Sequence, residues 1–285
     1  MARKGLEHEE AWDPEEYKEF TRETWDYASP AYVAFATRYL EPYGRELLKM
    51  LKVPRRGRLL DLACGGGEPG ITLAKRMGPL IEVVGCDLSP KMVEVARREA
   101  RRKGASNISF RVADAEDLPF PRGAFDMVTC RFGLQIFSTP EKALREMRRV
   151  LKPGGQLGVA VWGLPWRAEF LDLIIGAIVR NTAQPEYIPT PYEFGNIKEL
   201  KGALARAGFR QVKDRRVVID MPVDSPSQYW DAIRRASPIG PVLDYHPRAH
   251  VAKVKDDVYR QLRKYPRRGG KIWVPNEAVM AVARK

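Results

Sequence analysis

The 285-residue chain is poor in the side chains that bind metals or form disulfides. It has three cysteines and three histidines, and it has no CxxC or Cys/His spacing of the kind that binds zinc. Cys64, Cys86 and Cys130 each fall near the end of an apolar segment, where cysteine usually acts as a small apolar side chain. We therefore expect neither a metal centre nor a disulfide.

A long hydrophobic run is also missing. No segment approaches the roughly 20 apolar residues that span a bilayer, and the start, MARKGLEHEEAWDPEEYKEF, is too acidic and interrupted for a secretory signal. No repeat or low-complexity stretch is evident. With 44% hydrophobic and 30% charged residues the chain can bury a full core. These features predict a soluble cytoplasmic protein without a transmembrane segment.

Acidic residues are the minority among the charges, 36 against 49 lysines and arginines, which leaves a net charge of +13. Such an excess raises nucleic acid or an anionic membrane as partners. Two basic clusters, Arg97–Lys103 and Arg145–Arg149, fall toward the ends of predicted helices, where cations complement the helix dipole. The cluster from Lys253 to Lys271 has no such explanation and could bind a partner of this kind. Nucleic acid is therefore an unfavoured partner that the sequence does not exclude.

The most informative segment that is present is LLDLACGGGEPGITLA, Leu59 to Ala74. An apolar run is followed by a glycine cluster and the start of an amphipathic helix, which is the junction where nucleotide cofactors are held. Gly65, Gly67 and Gly70 fit GxGxxG, a weak signal alone. A second apolar run ends at Asp87, 22 residues after Gly65, the distance at which a carboxylate at the tip of the next strand reaches ribose hydroxyls. NAD remains possible at this point.

Apolar runs and helical patterns alternate along the chain as in a doubly wound α/β sheet. We expect strands at 58–63, 81–86, 108–112, 125–130 and 156–162, and an antiparallel closing pair at Gln211–Met221 and Ala278–Arg284. Since each parallel strand ends near the same edge, the ligand site should collect there.

Three further motifs separate this chain from the NAD enzymes: Asp61 inside the first strand, ADAEDLPF after the third, and VLKPGGQLGVAVW leading into the fifth. With the glycine loop they resemble the class I S-adenosylmethionine-dependent methyltransferases, in the branch of the ubiquinone and menaquinone C-methyltransferases. The resemblance covers roughly residues 55 to 163. It implies a Rossmann-like methyltransferase fold with a doubly wound, seven-stranded, mostly parallel sheet, and S-adenosyl-L-methionine as cofactor.

The resemblance also implies roles for individual residues. The loop at the first strand would hold the methionine end, Asp87 the ribose, and the segment at Asp114 the adenine. The implied cofactor-binding residues are Tyr27, Asp61, Ala63, Gly65, Gly66, Gly67, Asp87, Leu88, Met92, Asp114, Ala115 and Arg131. Alternatives stay open: Asp87 could cap the next helix, although Ser89 is the better cap, Asp114 could be a turn residue, and Met92 and Tyr27 could simply pack in the core.

An apolar acceptor pocket is expected beside the cofactor, lined by Phe132, Leu134, Trp162, Trp166 and Phe170. It favours a small hydrophobic or aromatic acceptor. The alternative is a methyltransferase that acts on RNA or protein through its basic surface, and a non-catalytic cofactor-binding partner of another enzyme is a third reading. General-base candidates are few, and His246 is as well explained by a structural or exposed position.

The organisation predicted from the sequence has four parts. Residues 1–50 form an aromatic-rich helical lid, with helices at Pro14–Tyr27 and Ala31–Met50. Residues 51–221 form the cofactor-binding core. About 55 residues separate the two closing strands, too many for a hairpin turn, so residues 222–275 are read as a helical cap over the site, and 276–285 as the closing strand.

Overall fold

A mixed β-sheet organises the computed structural model, which describes residues 13–182 and 191–285. The first twelve residues of the predicted lid, Trp12 among them, and residues 183–190 of the predicted core lie outside this part of the chain. The strands are β1 (Gly57–Leu62), β2 (Ile81–Asp87), β3 (Ile108–Val112), β4 (Phe125–Arg131), β5 (Leu151–Trp162), β6 (Arg210–Val223), a two-residue β7 (Arg267–Arg268) and β8 (Lys271–Arg284).

The order across the sheet is β3-β2-β1-β4-β5-β8-β6, and β7 pairs only with β8. Pairing is parallel from β3 to β5 and antiparallel where β8 lies between β5 and β6. The predicted seven-stranded, mostly parallel sheet is therefore confirmed, with β7 as a short addition. The last four residues of β1 are all buried, as expected where helices cover both faces of a parallel sheet.

Ten helices accompany the sheet in the described residues. They are α1 (Pro14–Tyr39), α2 (Glu41–Met50), α3 (Gly70–Met77), α4 (Pro90–Arg102), α5 (Pro140–Val150), α6 (Glu169–Asn181), α7 (Ile197–Arg206), α8 (Pro226–Ala236), α9 (Ile239–Asp244) and α10 (Arg248–Leu262). The predicted cap of α4 is confirmed, since the Ser89 side chain accepts from the Met92 N–H and Pro90 takes the first helical position.

The predicted break between two N-terminal helices is wrong, because α1 continues through Pro30 to Tyr39. Proline has no N–H to donate to the carbonyl four residues earlier. In α1 the hydroxyl of Ser29 donates instead to the Asp26 carbonyl, at 2.9 Å. This bond satisfies the acceptor that Pro30 leaves open, and the chain turns only at Leu40.

Residues 224–270 connect β6 to β8 through α8, α9, α10 and β7. Helix α8 packs on α1, and α10 packs on α6. A paired contact ties α1 to the start of this segment: both terminal nitrogens of Arg38 donate to Asp224, at 2.7 and 2.8 Å. The N-terminal helix and the inserted helices thus form one layer above the carboxyl edge of the sheet.

Candidate functional site

A cavity lies between the carboxyl edge of the sheet and the layer of α1, α8 and α9. Its floor is made by the ends of β1 to β5, with Ala63, Asp87, Asp114, Arg131 and Trp162 among the lining residues. Its roof carries aromatic side chains of α1 and apolar side chains of α8 and α9. The cavity is therefore where the strand order places a ligand site in an α/β sheet.

The loop after β1 turns in conformations that favour glycine. Gly65 has φ +50° and Gly67 has φ +96°. A Cβ on Gly65 would lie 2.8 Å from Cε1 of Tyr32, whose buried ring rests on the loop from α1. The Gly65 N–H donates to Oδ2 of Asp87 at 2.8 Å. Glycine is required here by both the turn and the close packing.

Asp87 stands at the tip of β2 and lines the cavity. Its second oxygen accepts from the Ser89 N–H at 3.0 Å, and burial raises the pKa of its carboxyl. Leu88 and Met92 line the cavity beside it. These placements agree with a ribose contact for Asp87, while its bonds to the two neighbouring loops also fix the local backbone.

Sequence reasoning missed the residue that anchors α1 to this corner. Asp26 is buried, and its Oδ1 accepts from the Ser89 hydroxyl at 2.5 Å and from the Lys91 N–H at 3.3 Å. Its Oδ2 accepts from Arg22 at 2.9 Å. The α1 helix is thereby fixed to the start of α4, next to Asp87.

Asp61 does not line the cavity. It is 2% exposed, and its two oxygens accept from the Gly70 N–H at 2.9 Å and the Thr129 hydroxyl at 2.8 Å. Burial raises the pKa of Asp61 to about 6, and the bonds from Thr129 and Gly70 oppose that rise. The carboxylate therefore holds β1, β4 and the first turn of α3 together beneath the predicted cofactor loop.

The far end of the cavity, beyond β3, is lined by Asp114 and Ala115 as expected. The Asp114 carboxylate is already engaged, because Oδ1 accepts from the Glu116 N–H at 2.8 Å and Oδ2 pairs with Lys18 at 2.9 Å. Burial disfavours the Lys18 ammonium, but Glu15, Asp114 and Glu116 outweigh it and raise its pKa. This ion pair ties the first turns of α1 to the β3–β4 connection.

Arg131 lies at the end of β4, on the opposite side of the glycine loop from Asp87. It is 6% exposed and lines the cavity. Its Nη2 donates to the Glu68 carbonyl at 2.9 Å, whereas Nε and Nη1 are buried without a hydrogen-bond partner. No carboxylate of the described residues forms a salt bridge with it. A buried cation in this state favours an anionic ligand group.

The other half of the cavity is aromatic. The Phe132 and Trp162 rings stack at 3.6 Å with an interplanar angle of 14°, and Tyr43 meets both edge to face at 5.5 and 5.4 Å. Phe170 packs against Tyr39 at 4.9 Å. Phe132, Trp162 and Phe170, which the sequence analysis assigned to an acceptor pocket, line the cavity. This half presents flat apolar surface directly beside Arg131 and the glycine loop.

Several predicted site residues lie elsewhere. Tyr27 is 47% exposed and faces Gly240 of α9, and Tyr32, five residues later in α1, is the aromatic residue that packs on the glycine loop. Trp166 is 69% exposed, and Leu134 is fully buried in the apolar cluster with α5. These three predictions are corrected: α1 turns Tyr27 away from the cavity, Trp166 lies exposed after β5, and the one-turn helix after β4 points Leu134 into the cluster with α5.

The remaining predicted residues outside the lining are Gly66, Gly67 and His246. Gly66 packs on Val33, and Gly67 on Ile71, so both act in the turn itself. His246 is half-buried after α9. Its position gives no support to a role in proton transfer.

Two amide side chains that sequence reasoning missed also line the cavity, Gln135 and Asn276. Both are buried, at 4% and 0% exposure. Neither belongs to a motif, since Gln135 follows β4 in a one-turn helix and Asn276 lies within β8. A single Asn or Gln outside a motif does not reveal, in the sequence, which backbone groups its side chain will bond.

A search of the described ranges finds no cluster of histidine, cysteine, aspartate and glutamate that could hold a metal ion. The three cysteines are buried free thiols. In the same part of the chain, no helix is long and apolar enough to cross a membrane.

Comparison with known proteins agrees with this geometry. A methyltransferase-domain model matches residues 59–155. The demethylmenaquinone methyltransferase of Thermus thermophilus is 42% identical over 174 residues, covering 57% of this chain and 77% of the relative. A ubiquinone/menaquinone biosynthesis C-methyltransferase of Geotalea daltonii is 30% identical over 67% of this chain and 88% of its own. The fold is similar to that of the YcgJ protein from Bacillus subtilis, with a TM-score of 0.59 at 23% identity, covering 86% and 98% of the two chains.

Proposed function

The chain belongs to the class I S-adenosylmethionine-dependent methyltransferases, in the branch of the ubiquinone and menaquinone C-methyltransferases, and we propose that it methylates an apolar aromatic ring of the quinol class. It is an enzyme, and S-adenosylmethionine is its methyl donor. When bound, this cofactor supplies an electrophilic methyl carbon on a positively charged sulfur.

The order of polar groups along the floor of the cavity supports a cofactor-binding site there. Asp114 follows β3, Asp87 ends β2, the glycine loop follows β1, and Arg131 ends β4, which is the order of neighbours in the sheet. We assign adenine to the Asp114 end, ribose to Asp87 and the amino-acid end to Arg131. The unpartnered nitrogens of Arg131 fit a carboxylate, and Tyr32 closes the loop from above.

The single observation that carries the acceptor class is the stacked aromatic half of the cavity. Phe132, Trp162 and Phe170 offer ring faces rather than charges, and such surfaces prefer offset or edge-to-face contact with another aromatic ring. Charged groups line the other end of the cavity instead. An RNA or protein acceptor would require exposed polar surface here, so that alternative is not favoured.

The residues of this half exclude water and orient the ring. Alignment of the reacting atoms supplies much of the rate in such a displacement, and an apolar lining keeps competing water out. The described acceptor-side lining contains no carboxylate or histidine. A quinol that enters as its anion needs no protein base for its activation, and the proton displaced from the methylated ring carbon returns to the ring oxygen by tautomerisation, so the step balances without a basic side chain at this position.

Methyl transfer to defined acceptors tests the proposal. The purified protein, S-adenosylmethionine labelled in its methyl group and reduced demethylmenaquinone in detergent should give labelled quinone, while tRNA and histone should remain unlabelled. The Asp87→Ala variant should lose most activity because it loses the ribose contact and the bond to the Gly65 N–H. Label in tRNA, or no transfer to the quinol under any condition, would overturn the assignment.

A further inference from the structure

Gln135 and Asn276 share the same hydrogen-bonding geometry, and neither belongs to the proposed cofactor-binding residues. In each, the side-chain oxygen accepts from a backbone N–H: Gln135 from Trp162 at 2.9 Å, and Asn276 from Leu171 at 3.3 Å. Because a backbone N–H can only donate, each amide must turn its NH₂ group the other way. The orientation of both amides is therefore fixed by the main chain.

The NH₂ group of each amide is left without a partner. Nδ2 of Asn276 is buried with no hydrogen-bond acceptor, and within residues 13–182 and 191–285 no hydrogen bond from Nε2 of Gln135 is found. Asn276 is also fixed through its backbone, since its main-chain carbonyl accepts from the Tyr43 hydroxyl at 2.5 Å. An unpaired buried donor is unfavourable for folding, so the Nδ2 group of Asn276 has a fixed position without benefit to the fold.

Both amides line the aromatic half of the cavity. They flank the stacked pair, because Gln135 bonds to Trp162 and Asn276 contacts Tyr43, whose ring touches both Phe132 and Trp162. Neutral donors beside an aromatic platform suit oxygen atoms in the plane of a bound ring. Carboxylates or ammonium groups would suit a charged or protein acceptor instead.

We propose that the NH₂ groups of Asn276 and Gln135 are the recognition site for the ring oxygens of the acceptor. This inference rests on the proposed function, because it assigns the residues that distinguish an oxygenated ring from a hydrocarbon of the same shape. Both are positioning residues for the acceptor and take no part in holding the cofactor.

A matched pair of ligands isolates the oxygens. The probes are 2,3-dimethyl-1,4-naphthoquinone and 2,3-dimethylnaphthalene, which differ in the two carbonyl oxygens. Their dissociation constants are measured by equilibrium dialysis with S-adenosylhomocysteine at saturation. The wild type should prefer the quinone by about tenfold or more, since each neutral hydrogen bond contributes a factor of roughly 2 to 12.

Asn276→Asp and Gln135→Glu keep the anchored oxygen and replace the donor by a second oxygen. Each should reduce the preference about fivefold or more, with binding of the hydrocarbon and of S-adenosylhomocysteine unchanged. Asn276→Ala and Gln135→Met provide the same test if a buried carboxylate prevents folding. Asn196→Asp, at the N-cap of α7, is the matched control and should retain the full preference.

The outcomes separate the two claims. A wild type that binds S-adenosylhomocysteine but does not prefer the quinone would overturn the proposed acceptor class. A wild type with the preference, together with folded variants that keep it, would overturn the amide site alone. Variants that lose hydrocarbon and S-adenosylhomocysteine binding to the same extent would show a structural role for the amides and would also overturn it.

Discussion

Arg131 offers the sharpest test of how the cofactor lies in the cavity. Replacement by methionine removes a buried cation whose Nε and Nη1 have no partner, together with one bond from Nη2 to the Glu68 carbonyl. If the free nitrogens bind the carboxylate of the methionine end, the variant loses charge-assisted hydrogen bonds. Bonds to charged groups contribute about 1.5 to 3 kcal/mol, which corresponds to a loss of about 10- to 100-fold in affinity.

Calorimetry with two ligands resolves this loss. S-adenosylhomocysteine carries the amino-acid end, and 5′-methylthioadenosine has the adenosine and the sulfur without it. Arg131→Met should weaken the affinity for S-adenosylhomocysteine by about 10- to 100-fold and that for 5′-methylthioadenosine by less than about twofold. The affinity of Arg131→Lys for S-adenosylhomocysteine should lie between those of the wild type and Arg131→Met, because lysine keeps the charge but not the planar guanidinium. Arg206→Met removes an exposed arginine of α7 and should change neither.

The stability of the unliganded protein provides an independent readout. A buried charge without a carboxylate in salt-bridge contact is unfavourable in the free protein, and the bond to the Glu68 carbonyl and the nearby Phe132 ring offset it in part, so Arg131→Met should leave the Tm without ligand unchanged or raise it. Equal weakening of both ligands, or a marked fall in the Tm without ligand, would refute the carboxylate role. It would instead make the bond to the Glu68 carbonyl the main function of the side chain.

Three further predictions concern other parts of the molecule. Burial raises the pKa of folded Asp61 to about 6, above its unfolded value, so the stabilisation from its bound proton is fully present below the unfolded pKa and is lost as the pH rises through 6. In chemical denaturation the wild type should therefore lose stability relative to Asp61→Asn between pH 4 and 7. A stability difference between the two proteins that stays constant over this range would contradict the shift. Gly78→Ala should lose about 1 to 2 kcal/mol of stability, since Gly78 has positive φ and open space around it, and Gly65→Ala should lose more, because its Cβ would also press on the buried Tyr32 ring. Only Gly65→Ala, whose Cβ meets Tyr32, should weaken S-adenosylhomocysteine binding, and equal binding by the two variants would contradict this packing argument. Binding of tRNA in filter assays should be weak and vanish near physiological salt; a tight complex with a log–log salt slope of several times −0.7, weakened by Arg267→Ala with Arg268→Ala, would restore the nucleic-acid alternative.

The floor of the cavity could be predicted from the sequence because its geometry follows from strand order. Carboxyl ends of parallel strands share one edge, so Asp87, Asp114 and Arg131 come together wherever the strands are correctly assigned. Asp61 could not be placed in the same way. A carboxylate in the strand before a glycine loop can either bind the ligand or hold the neighbouring backbone in place. In the structure the bonds from the Gly70 N–H and the Thr129 hydroxyl show that Asp61 holds the backbone.

The roof could not be predicted, because one error about α1 moved its aromatic residues. With a break at Pro30, Tyr27 and Tyr32 belong to different helices and their faces cannot be compared. In the continuous helix, residues seven apart lie on one face, and Trp25 meets Tyr32 edge to face at 5.6 Å. Tyr27 is then rotated away toward α9. The hydroxyl of Ser29 that permits this continuity gives no periodic signal in the sequence.

Asn276 shows why a polar residue on the acceptor side escapes sequence reasoning, and Arg131, which the sequence did predict, carries buried nitrogens of the same kind. Patterns in a sequence report groups that stabilise a fold, such as caps, apolar faces and glycines at positive φ. Unpartnered buried nitrogens do the opposite, because each leaves a desolvation cost without a compensating bond in the free protein. Arg58 and Glu277 also carry a buried atom without a hydrogen bond, but each has an ion-pair partner, Glu82 and Arg167 respectively. Arg131 and Asn276 instead line the cavity, so these two are the ones that point to bound molecules. If substitutions at both positions weaken ligand binding while the unliganded protein keeps or gains stability, this reasoning holds, and a loss of stability in step with binding would assign both side chains to the fold instead.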